Sequence, residues 1–228
     1  MKSDDTLREI NELTIALVGL SLSNEQNFPS TYGTKNESFE ITVKNAASLT
    51  VALRNVSYRD IYESLLEAGC FNMKLLDGAL VCLRYRFKGG EVIEHSLSYF
   101  PSPDLEHFQN DPEAYLSDDI YADIVSRRIV AFPIRFDFNA DAGRYVDVDH
   151  PYSHLTLGQY ENCRIPVCSP VTPLAFGSFI LRNFYNTAFQ KLSNELPESR
   201  FRFDRTISPN EQQIAHLVLT SLCSTPRN

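Results

Sequence analysis

Apolar residues near the N-terminus recur at spacings of three and four positions, which predicts an amphipathic helix. Acidic side chains at its beginning favour the positive end of the helix dipole. The apolar stripe must pack against another surface of the fold. This stripe consists of Leu7, Ile10, Leu13, Leu17 and Leu20.

The pattern changes to alternation after a polar segment. Residues 23–37 are polar and contain proline and glycine, which predicts a loop. Residues 39–43 then alternate between apolar and polar, the signature of a half-buried strand, and residues 49–53 predict a second strand or a turn. Ser57 is placed to cap a helix that Gly69 would end.

Three segments between residues 71 and 100 carry the clearest sheet signal: FNMKLL, ALVCLRYRF and EVIEHSLSYF. Asp-Gly and Gly-Gly pairs between them supply the positive φ angles of tight hairpins, so we predict a three-stranded antiparallel meander. Alternation places Arg84 and Arg86 on one face, which becomes basic toward its end. His95 lies between apolar neighbours, and we interpret it, like His107, as structural or exposed.

The second half of the chain mixes helices with a further strand. A polar helix is predicted over residues 117–127, followed by a strand over VAFPIRFDF. Thr172-Pro173 has the form of an N-cap with proline at the first helical position. It precedes an apolar segment, residues 174–192, which predicts one buried central helix.

The C-terminal residues predict one more helix, because Ser208 to Glu211 form a capping box. Its predicted inward-facing residues are Ile214, Leu217, Val218 and Leu222. The sequence shows no internal repeat, heptad array or flexible linker. Together the elements predict one α+β domain over residues 1–228, in which an antiparallel sheet with a meander core has helices packed on it.

Charge and cysteine content narrow the choice of partners and compartment. Lys and Arg total 21 against 29 Asp and Glu, and the net charge of −8 argues against a surface that attracts nucleic acid mainly at long range. This net charge does not exclude a local basic pocket. The five cysteines have no regular short spacing and the N-terminus has no apolar signal core, so we expect a cytoplasmic protein without disulfides. Apolar runs are too short for a bilayer, so no membrane association is expected.

Residues 147–166, DVDHPYSHLTLGQYENCRIP, hold two of the five histidines. Arg135 and Asp137 share one face of the preceding predicted strand, and consecutive strands are usually neighbours. His150, His154 and Asp137 are therefore predicted as a catalytic group, with Arg135 and Arg164 as substrate-binding residues. One histidine would take a 2′-hydroxyl proton, the other would protonate the leaving oxygen, Asp137 would orient an imidazole, and the arginines would bind the phosphate. This chemistry needs neither a metal nor another cofactor.

Other interpretations of these residues stay open. The strongest is structural, with His150 and His154 only bracing the sheet through hydrogen bonds. A zinc site would use both histidines with Cys163 and Cys168, but Pro151 bars the regular helix that would align the histidines, and no CxxC knuckle supports it. Cys163 as a nucleophile has no local signal for a lowered pKa.

Several common motifs are absent from the sequence. GxGxxG, GxxxxGK[ST], GxSxG and HExxH do not occur, which argues against the usual dinucleotide, P-loop, hydrolase and metalloprotease sites. The acidic pairs Asp118-Asp119 and Asp147-x-Asp149 have ligand atoms that suit Mg²⁺, although carboxylates in loops are usually only solvated.

HPYSHLTLG, CRIPV and SPVTPLAFGSFILRNFY form a recognisable series. They resemble a bacterial family of unknown function, domain of unknown function 2290, and the resemblance extends to LRYRF, SYFPSP and RFDF. It implies a bacterial cytoplasmic protein and transfers no catalytic role. The order Arg-x-Asp, His and Pro-x-x-His is also similar to histidine-rich RNase-type toxins of toxin–antitoxin pairs. Those toxins are shorter, and Thr156 stands where another histidine would help.

The hypothesis from sequence is therefore a metal-independent, RNase-like toxin or anti-phage defence effector that cleaves RNA. Its protein partner would be an antitoxin or defence component encoded nearby. The alternative is a non-enzymatic interaction module of a multi-protein defence or toxin–antitoxin complex, in which the histidines are architecture.

Overall fold

The computed structural model describes residues 1–34, 37–44, 46, 56–103, 131–160 and 162–219. Some sequence predictions lie outside these ranges. They are the strand or turn at 49–53, the helix at 117–127, His107, the Asp118-Asp119 pair and Leu222.

The described residues contain four α-helices and one large sheet. The helices are α1 (Ser3–Gly19), α2 (Tyr58–Glu67), α3 (Pro173–Phe184) and α4 (Asn186–Leu192). The strands are β1 (Ser23–Gln26), β2 (Ser30–Thr34), β3 (Ser38–Thr42), β4 (Met73–Leu75), β5 (Leu80–Lys88), β6 (Glu91–Phe100), β7 (Ile134–Asn139), β8 (Ser153–Leu157) and β9 (Ile165–Pro166). The predicted α+β class is confirmed.

Neighbouring strands of this sheet are all antiparallel, in the order β1-β4-β5-β6-β7-β8-β9. The predicted meander is β4-β5-β6, with positive φ at Gly78, Gly89 and Gly90 in its turns. β5 pairs with β4 at its beginning and with β3 near its end, and β2 continues from β3. The strands after the meander add in chain order, which brings the later motif residues next to one another.

Alternation along the strands gives this sheet two different faces. The inner face packs with α1 and α3 into the main hydrophobic core. One cross-strand row of the inner face is Leu83, Leu97, Phe136 and Leu155. The next row, on the opposite or outer face, is Arg84, Ser96, Asp137 and His154.

The helices confirm much of the sequence pattern. In α1, Ile10, Leu13 and Leu17 are buried as predicted. α3 begins at the predicted cap, where the Thr172 hydroxyl accepts from the Ala175 N–H. α1 and α3 approach closely at Gly177, because a Cβ there would lie 2.4 Å from Leu13 Cδ1.

α2 covers one end of the outer face. Ser57 caps it, as predicted, by accepting from the Asp60 N–H, and Gly69 comes after it with a φ of +63°. Ile61 and Leu65 pack there against Leu80, with Phe100 at the margin of this second hydrophobic cluster.

The predicted loop over residues 23–37 is wrong, because the segment contains β1 and β2. Both are edge strands among the described residues, β1 pairing with β4 and β2 with β3. Backbone pairing needs no buried side-chain face, and all of β2 is exposed. A polar edge strand therefore lacks the apolar alternation on which the sequence prediction depended.

The predicted central helix is divided at Tyr185. This residue has φ −131° and ψ 52°, and α4 starts directly after it. Its buried hydroxyl donates a hydrogen bond to Asp77 Oδ2 at 2.7 Å. This contact, made across the core, accompanies a helix break that the apolar periodicity does not reveal.

The predicted C-terminal helix is also wrong. The capping box does form, with Ser208 N–H donating to Glu211 Oε2 and Glu211 N–H to Ser208 Oγ. In the described residues up to 219, one 3₁₀ turn, Glu211–Gln213, stands where the helix was predicted. Leu217 then makes backbone hydrogen bonds beside β9, donating to the Pro166 carbonyl and accepting from Cys168 N–H, both at 2.9 Å. The sheet edge supplies partners that replace the helical ones, and Val218 is exposed.

Among the described helices, none combines the length and the apolar character that a membrane span requires.

Candidate functional site

The register of β7 and β8 places Asp137 directly opposite His154. Arg135, two residues earlier on β7, is opposite Thr156. Because side chains two residues apart point to the same side of a strand, Arg135, Asp137 and His154 share the outer face. The sequence prediction that these residues meet across neighbouring strands agrees with this geometry.

His154 has a defined hydrogen-bonding state. Its Nδ1 lies 3.0 Å from the Pro151 carbonyl oxygen. A carbonyl oxygen only accepts, so Nδ1 carries the proton and Nε2 of the neutral ring is a free base. Nε2 lies 3.9 Å from Asp137 Oδ2. Burial lowers the pKa of His154, and the Asp137 carboxylate partly opposes this shift.

Asp137 lies between an arginine and a histidine. Arg135 Nε donates a hydrogen bond to Asp137 Oδ2, the same oxygen that faces His154. The Arg135 side chain is 51% exposed, whereas the Asp137 side chain is 22% exposed. The guanidinium can therefore meet a ligand from solvent while it stays in contact with the carboxylate.

His150 lies at the end of a closed turn. Val146 and His150 exchange two backbone hydrogen bonds, of 3.1 and 2.7 Å. The chain then bends at Tyr152 before β8, and the two imidazole centroids lie 5.3 Å apart with the rings inclined by 62°. The conformation brings the histidines together although Pro151 excludes a helix between them.

Arg164 directly precedes β9, which pairs with β8. Its positive charge lowers the pKa of both His150 and His154, after the larger effect of burial on each ring. All five predicted site residues are thus gathered on or beside β7, β8 and β9. The two imidazoles can exchange protons with a bound ligand, and the two arginines, which stay charged, can bind an anion beside them.

Sequence reasoning missed a further feature, a set of hydrogen bonds that holds the turn carrying His150. The Asp147 carboxylate accepts from the hydroxyls of Tyr145 and Ser208 at 2.8 and 2.6 Å and from Asn210 Nδ2 at 2.6 Å. These hydrogen bonds lower the pKa of Asp147. The sequence offers no local signal for them, because Ser208 and Asn210 lie about sixty positions away.

Strain and stacking accompany the Asp147 contacts. Val148, the next residue, has a φ of +69°, a left-handed conformation that is costly for a β-branched side chain. Tyr145 and Tyr152 stack on the two sides of the turn, with centroids 4.2 Å apart. The position of His150 is therefore determined by the fold and not only by its local sequence.

The predicted basic row on β5 is neutralised by carboxylates. Arg84 and Arg86 share the outer face as predicted, but Arg84 binds Glu40 through two nitrogens and also contacts Glu94. Arg86 pairs with Glu94 as well. These arginines stabilise the sheet surface and contribute little free positive charge to the site.

The other described histidines have different environments. His95 is 2% exposed on the inner face, and its Nε2 accepts from the Val171 N–H at 2.9 Å. Burial lowers its pKa to about 4. His216 contacts the carbonyl of Ile214 near the surface. His95 is therefore structural, as the sequence indicated.

The described residues contain no cluster of three or more His, Cys, Asp or Glu arranged to hold a metal ion. In the four-residue zinc set considered from sequence, Cys163 is half-buried and Cys168 is buried, each with a free thiol. These four residues therefore do not form a zinc site in the described part of the chain.

The comparisons with known proteins identify a family for this chain. Residues 22–219 match the family described as "Uncharacterized conserved protein (DUF2290)". No curated protein and no solved structure matches the chain. The predicted resemblance to this family of unknown function is thereby confirmed over residues 22–219.

Proposed function

The chain belongs to the DUF2290 family, and we propose that it is a metal-independent, RNase-like enzyme. It would cleave RNA by transferring the phosphoryl group from the 5′-oxygen to the neighbouring 2′-oxygen. One observation carries the proposal: the rings of His150 and His154 lie 5.3 Å apart, beside Asp137 and within the electrostatic reach of Arg164. In a cell this activity suits a toxin or an anti-phage defence effector. Its regulator would be a protein encoded nearby.

His154 is assigned as the general base. Its free Nε2 takes the proton of the 2′-hydroxyl while the 2′-oxygen forms a bond to phosphorus. The imidazolium produced in this way is stabilised by Asp137, whose Oδ2 lies 3.9 Å from Nε2. The hydrogen bond from Nδ1 to the Pro151 carbonyl fixes the ring orientation during this step.

His150 is assigned as the general acid because it is the more exposed ring of the pair. In its protonated form it gives a proton to the 5′-oxygen as the bond between phosphorus and that oxygen breaks. The products are a 2′,3′-cyclic phosphate and a free 5′-hydroxyl. Arg164 lowers the pKa of His150 and so favours release of this proton, and Arg135 and Arg164 stabilise the charge that develops on the phosphate.

The test uses a DNA oligonucleotide with a single ribonucleotide, labelled at its 5′ end, in the presence of EDTA. Wild-type protein is expected to cut only after the ribonucleotide and to leave a cyclic phosphate. His150→Ala and His154→Gln are each expected to lower the rate by about 10²–10⁴-fold, the usual contribution of a general acid or base. The rate is expected to be highest below pH 6.5, because the pKa of both histidines is lowered and the reaction needs one ring protonated and one neutral.

His216→Ala is the matched control, since His216 lies outside the site and this variant should cleave RNA like wild type. Thermal melts of each variant separate lost chemistry from lost folding. No cleavage by the folded wild type, or equal cleavage of a fully deoxy oligonucleotide, would reject this mechanism.

A non-enzymatic interaction module is the second candidate, and the edge strand β2 favours it. Every residue of β2 is exposed, and Phe28 and Tyr32 beside and within it are 54% and 43% exposed. An open edge with apolar side chains suits pairing with a strand of another protein. Under this alternative His154→Gln lowers the melting temperature and neither wild type nor any folded variant cleaves RNA. Melting curves and the cleavage assay together therefore distinguish the two candidates.

A further inference from the structure

A groove of about 330 Å³ lies where β7 begins and β8 ends, against the beginning of α2. The Gly158 N–H donates to the Pro133 carbonyl at 2.7 Å and closes the two strands there. The groove is lined mainly by Tyr58, Phe132, Pro133, Gly158, Gln159 and Tyr160. Neither the family match nor the proposed cleavage chemistry assigns any role to it.

Aromatic rings dominate the accessible part of this groove. Tyr160 is 75% exposed and Phe132 is 40% exposed. Tyr160 folds back over Gly158, so that a Cβ at Gly158 would lie 3.4 Å from Tyr160 Cδ2. This is ordinary van der Waals contact, and it is the φ of +63° at this position that favours glycine. The turn therefore supports a large ring that solvent still reaches.

The groove lies along the same two strands as the histidine site. Asp137 is opposite His154, Arg135 is opposite Thr156, and Ile134 is opposite Leu157 immediately before the groove. Gly158 lies four positions after His154, about 13 Å along an extended strand. An extended RNA strand that runs along β8 can join the groove to the histidines, with the exposed Arg135 on the way.

We propose that this groove is a nucleobase subsite, in which a base of single-stranded RNA stacks on Tyr160 and Phe132 while a phosphate further along the same strand reaches Arg135 and the histidines. The inference rests on the proposed function for the position of the phosphate. Base stacking requires no positive field, and it supplies affinity that a chain with a net charge of −8 does not gain from long-range attraction.

The subsite is expected to discriminate weakly among bases. Gln159 is the amide side chain of the groove, and its Nε2 already donates to the Val56 carbonyl at 3.0 Å. Stacking is available to every base because each has an aromatic face, so affinity should depend on ring size more than on sequence.

The experiment uses the absence of tryptophan from the chain. Tyr160→Trp introduces a single indole ring at the groove, and Tyr32→Trp introduces one at another exposed tyrosine, on β2, as the control. Each full-length variant is titrated with a short 2′-O-methyl oligoadenylate, which the proposed mechanism does not cleave. Saturable quenching is expected for Tyr160→Trp and none for Tyr32→Trp.

Affinity is then measured without the reporter. Tyr160→Ala is expected to weaken binding of the same oligonucleotide by roughly ten-fold, the order of one stacked base, and Tyr32→Ala by less than about two-fold. An oligonucleotide with abasic positions should bind as weakly to wild type as the intact one binds to Tyr160→Ala. Equal affinities for wild type and Tyr160→Ala, or equal binding of the abasic strand, would overturn the subsite.

These results are independent of the cleavage assay. Stacking on Tyr160 without RNA cleavage would retain the subsite and reject the enzyme. RNA cleavage with unchanged affinity in Tyr160→Ala would retain the enzyme and reject the subsite.

Discussion

The two faces of the sheet are built by the same strands but have different roles. Inner-face residues pack into the core, where Leu83, Leu97 and Phe136 are no more than 1% exposed. The residues beside them in the same strands, Arg84, Ser96 and Asp137, point outward and are polar. A side-chain period of two therefore separates the core from the candidate chemistry by a single position, and any shift of register would exchange them.

Two histidines show the same contrast. His95 lies on the inner face between the rings of Tyr85 and Phe138 and accepts a backbone hydrogen bond from Val171. His154 lies on the outer face, near a carboxylate and a second imidazole. Burial lowers the pKa of both rings. Their direct contacts differ, because His154 faces a carboxylate and a second imidazole, whereas His95 touches aromatic rings and a backbone N–H.

Phe136 and Arg135 give the largest expected contrast between the faces. Phe136 is fully buried and packs edge-on against Phe176 and Phe179, so Phe136→Ala should lower the free energy of unfolding by about 3–5 kcal/mol. Arg135→Ala removes a side chain that is 51% exposed and should change the free energy of unfolding by less than about 0.5 kcal/mol. Urea unfolding of both variants measures the difference.

The Arg135 variant also tests function, because it should bind the 2′-O-methyl oligonucleotide less tightly while it unfolds like wild type. Similar losses of stability in the two variants would mean that the outer face at Arg135 is part of the core.

Acid sensitivity of the inner face is the next largest effect. The pKa of His95 is about 4 in the folded protein, against 6.5 as its ordinary value. Between these pH values the unfolded chain binds a proton that the folded chain does not, so stability falls as the pH is lowered from 6.5 to 4. The loss from this group should be about 3 kcal/mol over that interval.

The measurement is a series of urea unfolding curves from about pH 7 to 4 for wild type and His95→Gln. The variant is expected to be less stable at neutral pH and to lose less stability on acidification. Parallel curves for the two proteins would show that His95 does not remain neutral in the fold. His216→Ala, which alters a histidine near the surface, should behave like wild type throughout.

Most of the fold and the grouping of the site residues can be predicted from local signals. The period-two pattern and the turn residues identify β5 and β6, and chain order brings β7 next to β8 because successive antiparallel strands are usually neighbours. This adjacency is sufficient to predict that Asp137 and His154 meet. Their proposed roles in catalysis remain predictions.

The missed features depend on contacts between distant parts of the chain. β1 and β2 have no apolar alternation, and their strand conformation comes from pairing with β4 and β3. The C-terminal capping box gives the correct first turn, yet the edge of β9 determines the conformation of the residues after that turn. The groove at Tyr160 likewise needs α2 beside the end of β8, which no spacing within residues 147–166 indicates.

The smallest expected effect concerns how the turn that carries His150 is held. Asp147→Ala removes a carboxylate that accepts three hydrogen bonds, two of them from Ser208 and Asn210. Because Asp147 is exposed, the melting temperature should change little. The imidazole resonances of His150 are expected to shift and those of His95 to stay in place. Asp149→Ala, an exposed neighbour without a side-chain hydrogen bond to the described residues, is the matched control.

The same hydrogen bonds give the His150 turn a dependence on pH. They lower the pKa of Asp147 and so favour its charged form, and their contribution is present above the ordinary carboxyl pKa of 3.8 and lost as the pH falls below it. The His150 resonances of wild type should therefore begin to resemble those of Asp147→Ala only under strongly acidic conditions, whereas His95 titrates near pH 4. Unchanged His150 resonances in Asp147→Ala at neutral pH would mean that Ser208 and Asn210 have no part in positioning this histidine. The turn would then be held by its own backbone hydrogen bonds and by the stacking of Tyr145 on Tyr152.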